Sequence, residues 1–460
     1  MPDSTTPSHD ISYRDALWVW IRVAINSFGG PAGQIAVMHR ILVEEKRWIS
    51  ETRFLHALNY CMLLPGPEAQ QLATYLGWLL HRTKGGLTAG ILFVLPGFVS
   101  ILILSVLYAG FRELTLVEGI FYGIKPAVLA IVLQAVFRIG RRALSNRYML
   151  GIAVAAFVAI FFLDLPFPLI IAGAALIGLV GGAWLGSAFE AAPGHGGENG
   201  EAAEDTVVPD EALDAIRPSW RRSLTVLAVC LVLWFGPIAV LLMTLGRGDV
   251  FVEQALFFSR MAVVTFGGAY AVLAYMAQAA VETHGWLEPG EMLDGLGMAE
   301  TTPGPLIQVV QFVGFMGAYR EPGGLPPMVA GSLAAILTTW VTFVPCFLWI
   351  LLGAPFVETL RGVRALNHAL SAITAAVVGV ILNLGVWFAL HALFGTVREY
   401  RPWGLRLLVP EWHTIDLIAL AIGVGAFIAL FRYGRGMIVT LLACAAVGVG
   451  VMLGRGVLLP

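Results

Sequence analysis

Charged side chains are scarce in this chain. They make up 13% of its 460 residues, against about 25% in a soluble domain, which excludes an ordinary water-facing surface. Cysteine is sparse as well. Cys61, Cys230, Cys346 and Cys444 stand alone in apolar stretches, with no metal-ligating spacing, and an isolated buried Cys behaves as a small hydrophobe. Enzyme signatures are missing. No His-Glu-x-x-His, Gly-x-Ser-x-Gly, Walker-type Gly-x4-Gly-Lys-Ser/Thr or Cys-x-x-Cys pattern occurs, so no enzymatic activity and no cofactor are expected. Without a nucleotide-binding loop, any pumping must draw on an ion gradient. No positively charged leader precedes a short apolar stretch near the start, so no cleavable signal peptide is expected. The net charge of -2 singles out no partner, nucleic acid included.

Apolar residues are abundant instead, at 58%, and they fall into long blocks. Leu169 to Phe189 and Met437 to Leu453 carry no charge at all, and about 20 such residues cross a bilayer as a helix. Thirteen blocks are legible. Six lie near 16–39, 54–80, 87–110, 119–137, 149–164 and 167–189. A linker at 190–220 follows, with eight acids (Glu190, Glu198, Glu201, Glu204, Asp205, Asp210, Glu211, Asp214), and it reads as flexible and cytoplasmic. Seven more blocks lie near 223–245, 254–281, 292–318, 326–353, 366–394, 417–431 and 437–454. The expected fold class is an all-α membrane protein.

The two halves are related. Arg22 to Leu87 lies over Arg260 to Leu325 without a gap, and twenty of 66 positions are identical. The matches include Phe28-Gly29-Gly30 with Phe266-Gly267-Gly268, Trp48 with Trp286, Pro65-Gly66-Pro67 with Pro303-Gly304-Pro305, and Gly85-Gly86-Leu87 with Gly323-Gly324-Leu325. Chance similarity of apolar helices does not reproduce such punctuation at fixed spacing. Farther on the match decays, and Pro96 and Pro345 do not align. The domain reading is therefore a first repeat at 1–189, the linker, an extra helix at 221–250 and a second repeat at 251–460. That unmatched helix makes the second repeat start on the opposite side, giving inverted repeats as in many secondary transporters.

Basic residues favour a cytoplasmic N-terminus in an inner membrane. Arg138 to Arg147 holds four arginines, and Arg217, Arg221 and Arg222 precede the extra helix. The loop carrying Arg40, Lys46, Arg47 and Arg53 falls on the wrong side if every block crosses. Re-entrant hairpins around Phe28-Gly29-Gly30 and Pro65-Gly66-Pro67 remove that conflict. Arg398, Arg401 and Arg406 remain on the wrong side.

The Pro-Gly-Pro and Phe-Gly-Gly motifs carry the chemistry. Two prolines around a glycine remove backbone donors and clash with the preceding turn, so the helix must stop and restart. A restart at membrane depth is tolerated only inside protein or along a wet cavity, and its free N–H groups attract anions. Kinked or closely packed helices are the plain alternative. Arg22 and Arg260 sit six residues before their Phe-Gly-Gly triplets. A guanidinium fork suits a tetrahedral oxyanion, while snorkelling or an ion pair is the structural reading. Glu68 and Glu300 are candidates for proton coupling, or a helix cap and a loop-facing acid. Asn26, Ser27, Gln70, Thr265, Thr301, Thr302 and Gln308 offer neutral hydrogen bonds. Glu44 and Glu282, with Trp48 and Trp286, are expected in interfacial loops, the tryptophans at headgroup level.

The segments SFGGPAGQIAVMHR and LPGPEAQQLATYLGW, with Trp48 and Trp286 between the paired motifs, resemble the chromate ion transporter family in its long, two-domain form. The resemblance covers roughly 14–180 and 254–450. It implies inner-membrane export of chromate, a sulfate-shaped dianion, and chromate resistance. It places weight on Arg22, Asn26, Phe28, Gly29, Gly30, Pro31, Gln34, Pro65, Gly66, Pro67, Gln70, Gln71 and Gly77. The second half departs from this set, with Val264 for Asn26, Ala269 for Pro31, Val272 for Gln34 and Val309 for Gln71. Its expected contributors are Arg260, Phe266, Gly267, Gly268, Pro303, Gly304, Pro305 and Gln308. The expectation is an alternating-access carrier with chromate or a related oxyanion and the lipid bilayer as partners, a homodimer being compatible. A sulfate carrier or an anion channel is the alternative.

Overall fold

The computed structural model describes residues 11–186, 189, 207, 220–266, 269–356 and 364–458. The acidic linker at 190–220, apart from Val207 and Trp220, and Gly267 and Gly268 lie outside the described residues. Among the described residues the chain forms α1 (Tyr13–Asn26), α2 (Gly30–His39), α3 (Glu51–Leu63), α4 (Glu68–Phe111), α5 (Thr115–Ala143), α6 (Arg147–Phe161) and α7 (Phe167–Leu185). It continues with α8 (Trp220–Thr244), α9 (Val250–Val264), α10 (Ala269–Gln278), α11 (Pro289–Thr301), α12 (Val309–Arg320), α13 (Pro327–Gly353) and α14 (Arg364–Leu393). A hairpin of β1 (Val397–Tyr400) and β2 (Leu407–Pro410) precedes α15 (Leu417–Phe431) and α16 (Met437–Leu458). Among the described residues, seven helices are long and apolar enough to cross a membrane. The hairpin is the exception to the all-α expectation.

The expected breaks are where the motifs put them. α1 stops at Asn26, and Gly29 adopts φ 87° before α2 starts with Pro31 in its first turn. α3 is capped by the Ser50 hydroxyl, which accepts from the Arg53 N–H, as an N-cap serine does. It ends at Leu63, because a residue before Pro65 is pushed out of the helical region. α1, α2 and α3 have 14, 10 and 13 residues, each shorter than the roughly 20 needed to span a bilayer. α4 is two helices joined at His81 (φ -136°) and Arg82 (φ 53°). The second doubles back so closely that a Cβ on Gly77 would lie 2.5 Å from the Gly85 carbonyl oxygen.

That turn limits the gapless match. Gly85 and Gly86 lie inside α4, whereas Gly323 and Gly324 lie in the loop after α12 with φ 57° and 92°. Identical letters there hold different conformations, because the return in the first half is a tight turn and in the second a longer loop.

The chain divides into two compact units that do not follow the sequence halves. Unit 1 comprises residues 1–102, 193–269 and 302–363, and unit 2 residues 103–192, 270–301 and 364–460. In unit 1, α12 and α9 pack on α13, and α13 on α8. A core of aromatic and aliphatic residues, including Trp20, Phe54, Trp78 and Phe93, holds the first-half helices. Trp48 and Trp286, expected at headgroup level, are 7% and 2% exposed. They are core residues, because each loop folds inward onto its own unit.

In unit 2, α5 packs on α16, and α14 on α5, α6 and α7. Close approach rests on small residues. A Cβ on Gly123 would fall 2.0 Å from the Cys444 carbonyl oxygen, and one on Gly379 2.0 Å from that of Ala153. The three arginines that conflicted with the charge rule are all ion-paired. Arg398 meets Glu411; Arg401 meets Glu399 and Asp164; and Arg406, buried, meets Asp164, Glu282 and Glu399.

Candidate functional site

The broken helices of unit 1 interlock. The Gly66 N–H donates to the Thr265 carbonyl at 2.8 Å, and the Gly304 N–H donates to the Ser27 carbonyl at 2.9 Å. Ser27 and Thr265 are matched positions, as are Gly66 and Gly304. Each Pro-Gly-Pro break is thus hydrogen-bonded to the other half's first break, immediately before Phe28 or Phe266. Both phenylalanines are half-buried.

Each break needs glycine. Gly66 and Gly304 have φ 132° and 112°, a region that side chains avoid. Space is closed too. A Cβ on Gly304 would lie 3.0 Å from the Gly97 Cα, and one on Gly66 3.0 Å from the Cys346 Sγ. Gly97 follows Pro96 inside α4, and Cys346 follows Pro345 inside α13. The two prolines that fail to align in sequence therefore precede residues with the same job at opposite breaks.

Glutamines line these turns. Gln34 is buried and its amide donates to the Gly304 carbonyl. Gln71 donates to the Pro65 carbonyl at 2.7 Å. Gln70 donates to the Thr74 hydroxyl at 3.1 Å, and Gln308 donates to the Gln311 side-chain oxygen at 2.8 Å and the Thr339 hydroxyl at 3.1 Å. In all four, the buried side-chain oxygen has no hydrogen-bond partner among the described residues. A buried acceptor left unmet costs free energy, and such exceptions point to a missing ligand, proton or water. The first-turn N–H groups after Pro67 add donors, since a helix start leaves them without intrahelical partners.

The arginines stand differently. Arg22 is exposed and pairs with Glu45 at 2.7 Å; Asn26 donates to the Arg22 carbonyl at 2.8 Å. Arg22 also lines an open cavity of about 460 Å³ with Asp15, Trp18, Lys46 and Trp48. Arg260 is exposed. The structure thus brings Gln34, Pro65, Gly66, Pro67, Gln70 and Gln71, and Pro303, Gly304, Pro305 and Gln308, to the breaks, and gives Arg22 an ion pair. Glu68 opens the first turn of α4, half-buried, where a carboxylate suits the helix dipole. Glu300 is buried in unit 2, accepts from the Tyr270 hydroxyl at 2.7 Å, and leaves its other oxygen without a partner; it is not the loop-facing acid of the plain reading.

The match to known proteins follows this geometry. The model of the chromate transporter family covers residues 14–179 and 252–449, which include both sets of breaks. The chain belongs to the chromate transporter family. This family transports ions and is not enzymatic. Its relatives include the chromate transport proteins of Cupriavidus metallidurans, 27% identical over 392 residues and 85% of each chain, and of Pseudomonas aeruginosa, 30% identical over 389 residues and 82% of each chain. A probable chromate transport protein of Synechococcus elongatus is 27% identical over 413 residues, 87% of this chain and 93% of its own. No solved structure matches. Seven long apolar helices and transporter relatives make this family member a multi-pass membrane protein.

Sequence reading missed the supports of the breaks. Gly97 and Cys346 are ordinary residues for a membrane helix, and nothing local marks them as neighbours of a distant turn. It also missed Asp294 and Lys125, although Asp294, beside Glu300 in the block at 292–318, and Lys125, the single charge in the block at 119–137, were visible signals.

Proposed function

We propose that this family member is an inner-membrane secondary transporter that exports chromate and confers chromate resistance. The observation carrying this reading is the reciprocal pair, Gly66 with Thr265 and Gly304 with Ser27, surrounded by buried glutamines with unspent polar atoms. A tetrahedral dianion needs many oriented donors and little bulk. Backbone N–H groups at restarted helices supply the donors, and turning an amide about its axis exchanges its acceptor for a donor. Phe28, Gly29, Gly30 and Phe266 belong to the binding site in this reading, and Gly267 and Gly268, outside the described residues, are assigned to it by their match with Gly29 and Gly30.

The repeats are inverted in this reading, with the N-terminus cytoplasmic and α8 as the inverting helix. The short helices α1 to α3 form re-entrant hairpins. Transport proceeds by alternating access, coupled to an ion gradient, with the proton as coupling ion and Glu68 and Glu300 as carriers. Arg22 and Arg260 attract the anion from outside the breaks. The family relatives named chromate transport protein support the substrate; a sulfate carrier shares its shape and charge.

Labelled chromate and sulfate uptake into everted vesicles, with and without a pH gradient, tests this. Chromate accumulation that requires the gradient and resists excess sulfate is expected. Downhill flux alone would indicate a channel, and equal competition by sulfate a broader oxyanion carrier.

A further inference from the structure

Unit 2 holds a second constellation of buried charge. Asp294, on α11, is 2% exposed. Its Oδ2 accepts from the Tyr108 hydroxyl at 2.8 Å and lies 3.4 Å from the Lys125 ammonium. Its Oδ1 is buried and has no hydrogen-bond partner among the described residues. Two glycines build the contact. A Cβ on Gly290 would lie 3.1 Å from the Lys125 Nζ, and one on Gly297 2.4 Å from the Ile124 Cγ2. Gly290, Asp294 and Gly297 share a helical face by their spacing, and that face lets α11 close on α5.

The other charges are accounted for. Arg112 pairs with Glu291 and with Glu288 at 3.0 Å, and the Glu288 N–H donates to Glu291 at 2.8 Å. Asp294 thus pairs with Lys125, while Glu288 and Glu291 share Arg112. α14 and α16 also pack on α11, and among the described residues neither brings a charged group within ion-pair distance of Asp294. No group of three or more His, Cys, Asp or Glu suited to a metal ion occurs among the described residues. A buried carboxylate whose second oxygen meets no partner among the described residues is suited to a proton. The Lys125 side chain is 31% exposed.

We propose that Asp294, held by Lys125 and Tyr108, is a proton-exchange site. A hydronium ion gives its proton to Oδ1 and leaves as water. The neutral carboxyl releases the Lys125 ammonium from its ion pair, and loss of the proton draws it back. α11 ends at Thr301, directly before Pro303-Gly304-Pro305, so the charge state of Asp294 bears on the helix that leads into that break. This assignment rests on the reading of the protein as an ion-coupled carrier, and it adds a coupling group to Glu68 and Glu300.

The test uses the purified full chain with D294N/K125Q, which removes both charges together, and D294E as the conservative variant. Infrared difference spectra between acidic and alkaline buffer, taken without any oxyanion, should show a carboxyl band that D294E keeps and D294N/K125Q loses. In liposomes, D294N/K125Q should keep chromate–chromate exchange and lose accumulation driven by a pH gradient. An unchanged infrared titration, or wild-type gradient-driven accumulation by D294N/K125Q, overturns the proposal. If the wild-type chain moves no chromate, the substrate reading fails while the infrared result still decides the proton site.

Discussion

The Gly304 N–H donates to the Ser27 carbonyl across 2.9 Å, tying the Pro-Gly-Pro break of the second half to the end of α1 in the first. Its matched partner, Gly66 with Thr265, does the same in the other direction. Neither bond forms unless both helices have stopped. A continuing helix would use the Ser27 and Thr265 carbonyls in its own ladder. Proline and glycine therefore do two things here: they end helices, and they free backbone groups for the partner half.

The glycines at these breaks should not tolerate a methyl group. Gly304→Ala meets Gly97 and holds a left-handed φ, and Gly97→Ala would place its Cβ 2.9 Å from the Pro303 carbonyl oxygen. A residue held in such a region costs about 1–3 kcal/mol. Both variants should unfold at lower temperature in detergent and lose chromate resistance in cells, whereas Gly151→Ala, with open space around it, should behave as wild type. Thermal shift and growth on chromate check this.

Arg22 has two readings, and its pairing with Glu45 separates them. Arg22→Gln should abolish chromate resistance without loss of the protein from membranes. If the ion pair were its sole task, the double variant Arg22→Gln/Glu45→Gln would recover resistance, since no carboxylate is then left without Arg22, and Arg40, which also meets Glu45 at 3.5 Å, is exposed. Continued sensitivity of the double variant is the expected outcome, because the anion then loses its attracting charge. An exposed pair of this kind is worth about 0.2–1 kcal/mol, too little for its loss to unfold the protein.

Glu68 opens α4 directly after Pro67. Transport by Glu68→Gln should lose its dependence on pH while keeping the neutral hydrogen-bonding shape. Initial rates in vesicles across a pH series measure this, and an unchanged profile would remove Glu68 from the coupling path.

Asp416 gives a stability prediction outside the site. Its carboxylate accepts from the Ile418 and Ala419 N–H groups and from the Tyr122 hydroxyl, at the start of α15. Burial pushes its pKa up, but those donors and the Arg455 guanidinium outweigh it and hold the carboxyl below its ordinary range. A carboxyl depressed on folding stabilises above the unfolded pKa of about 3.9, and that contribution is lost as pH falls through the lower folded value. Asp416→Ala should lower stability by about 1 kcal/mol at neutral pH, and the deficit should vanish in strong acid. Thermal unfolding across pH checks the sign.

The sequence by itself determined the membrane class, the duplication and the location of the helix breaks. These follow from local chemistry. Apolar runs without charge belong in lipid, and two prolines around a glycine stop a helix whatever surrounds them. Only the tertiary structure decided which break meets which, that Gly97 and Cys346 occupy matching places although their prolines do not align, that Arg22 pairs with Glu45, and that Asp294 meets Lys125. Those contacts join residues far apart in the chain. They depend on how closely helices approach, which is set by small residues packed across an interface and leaves no periodic mark along the sequence.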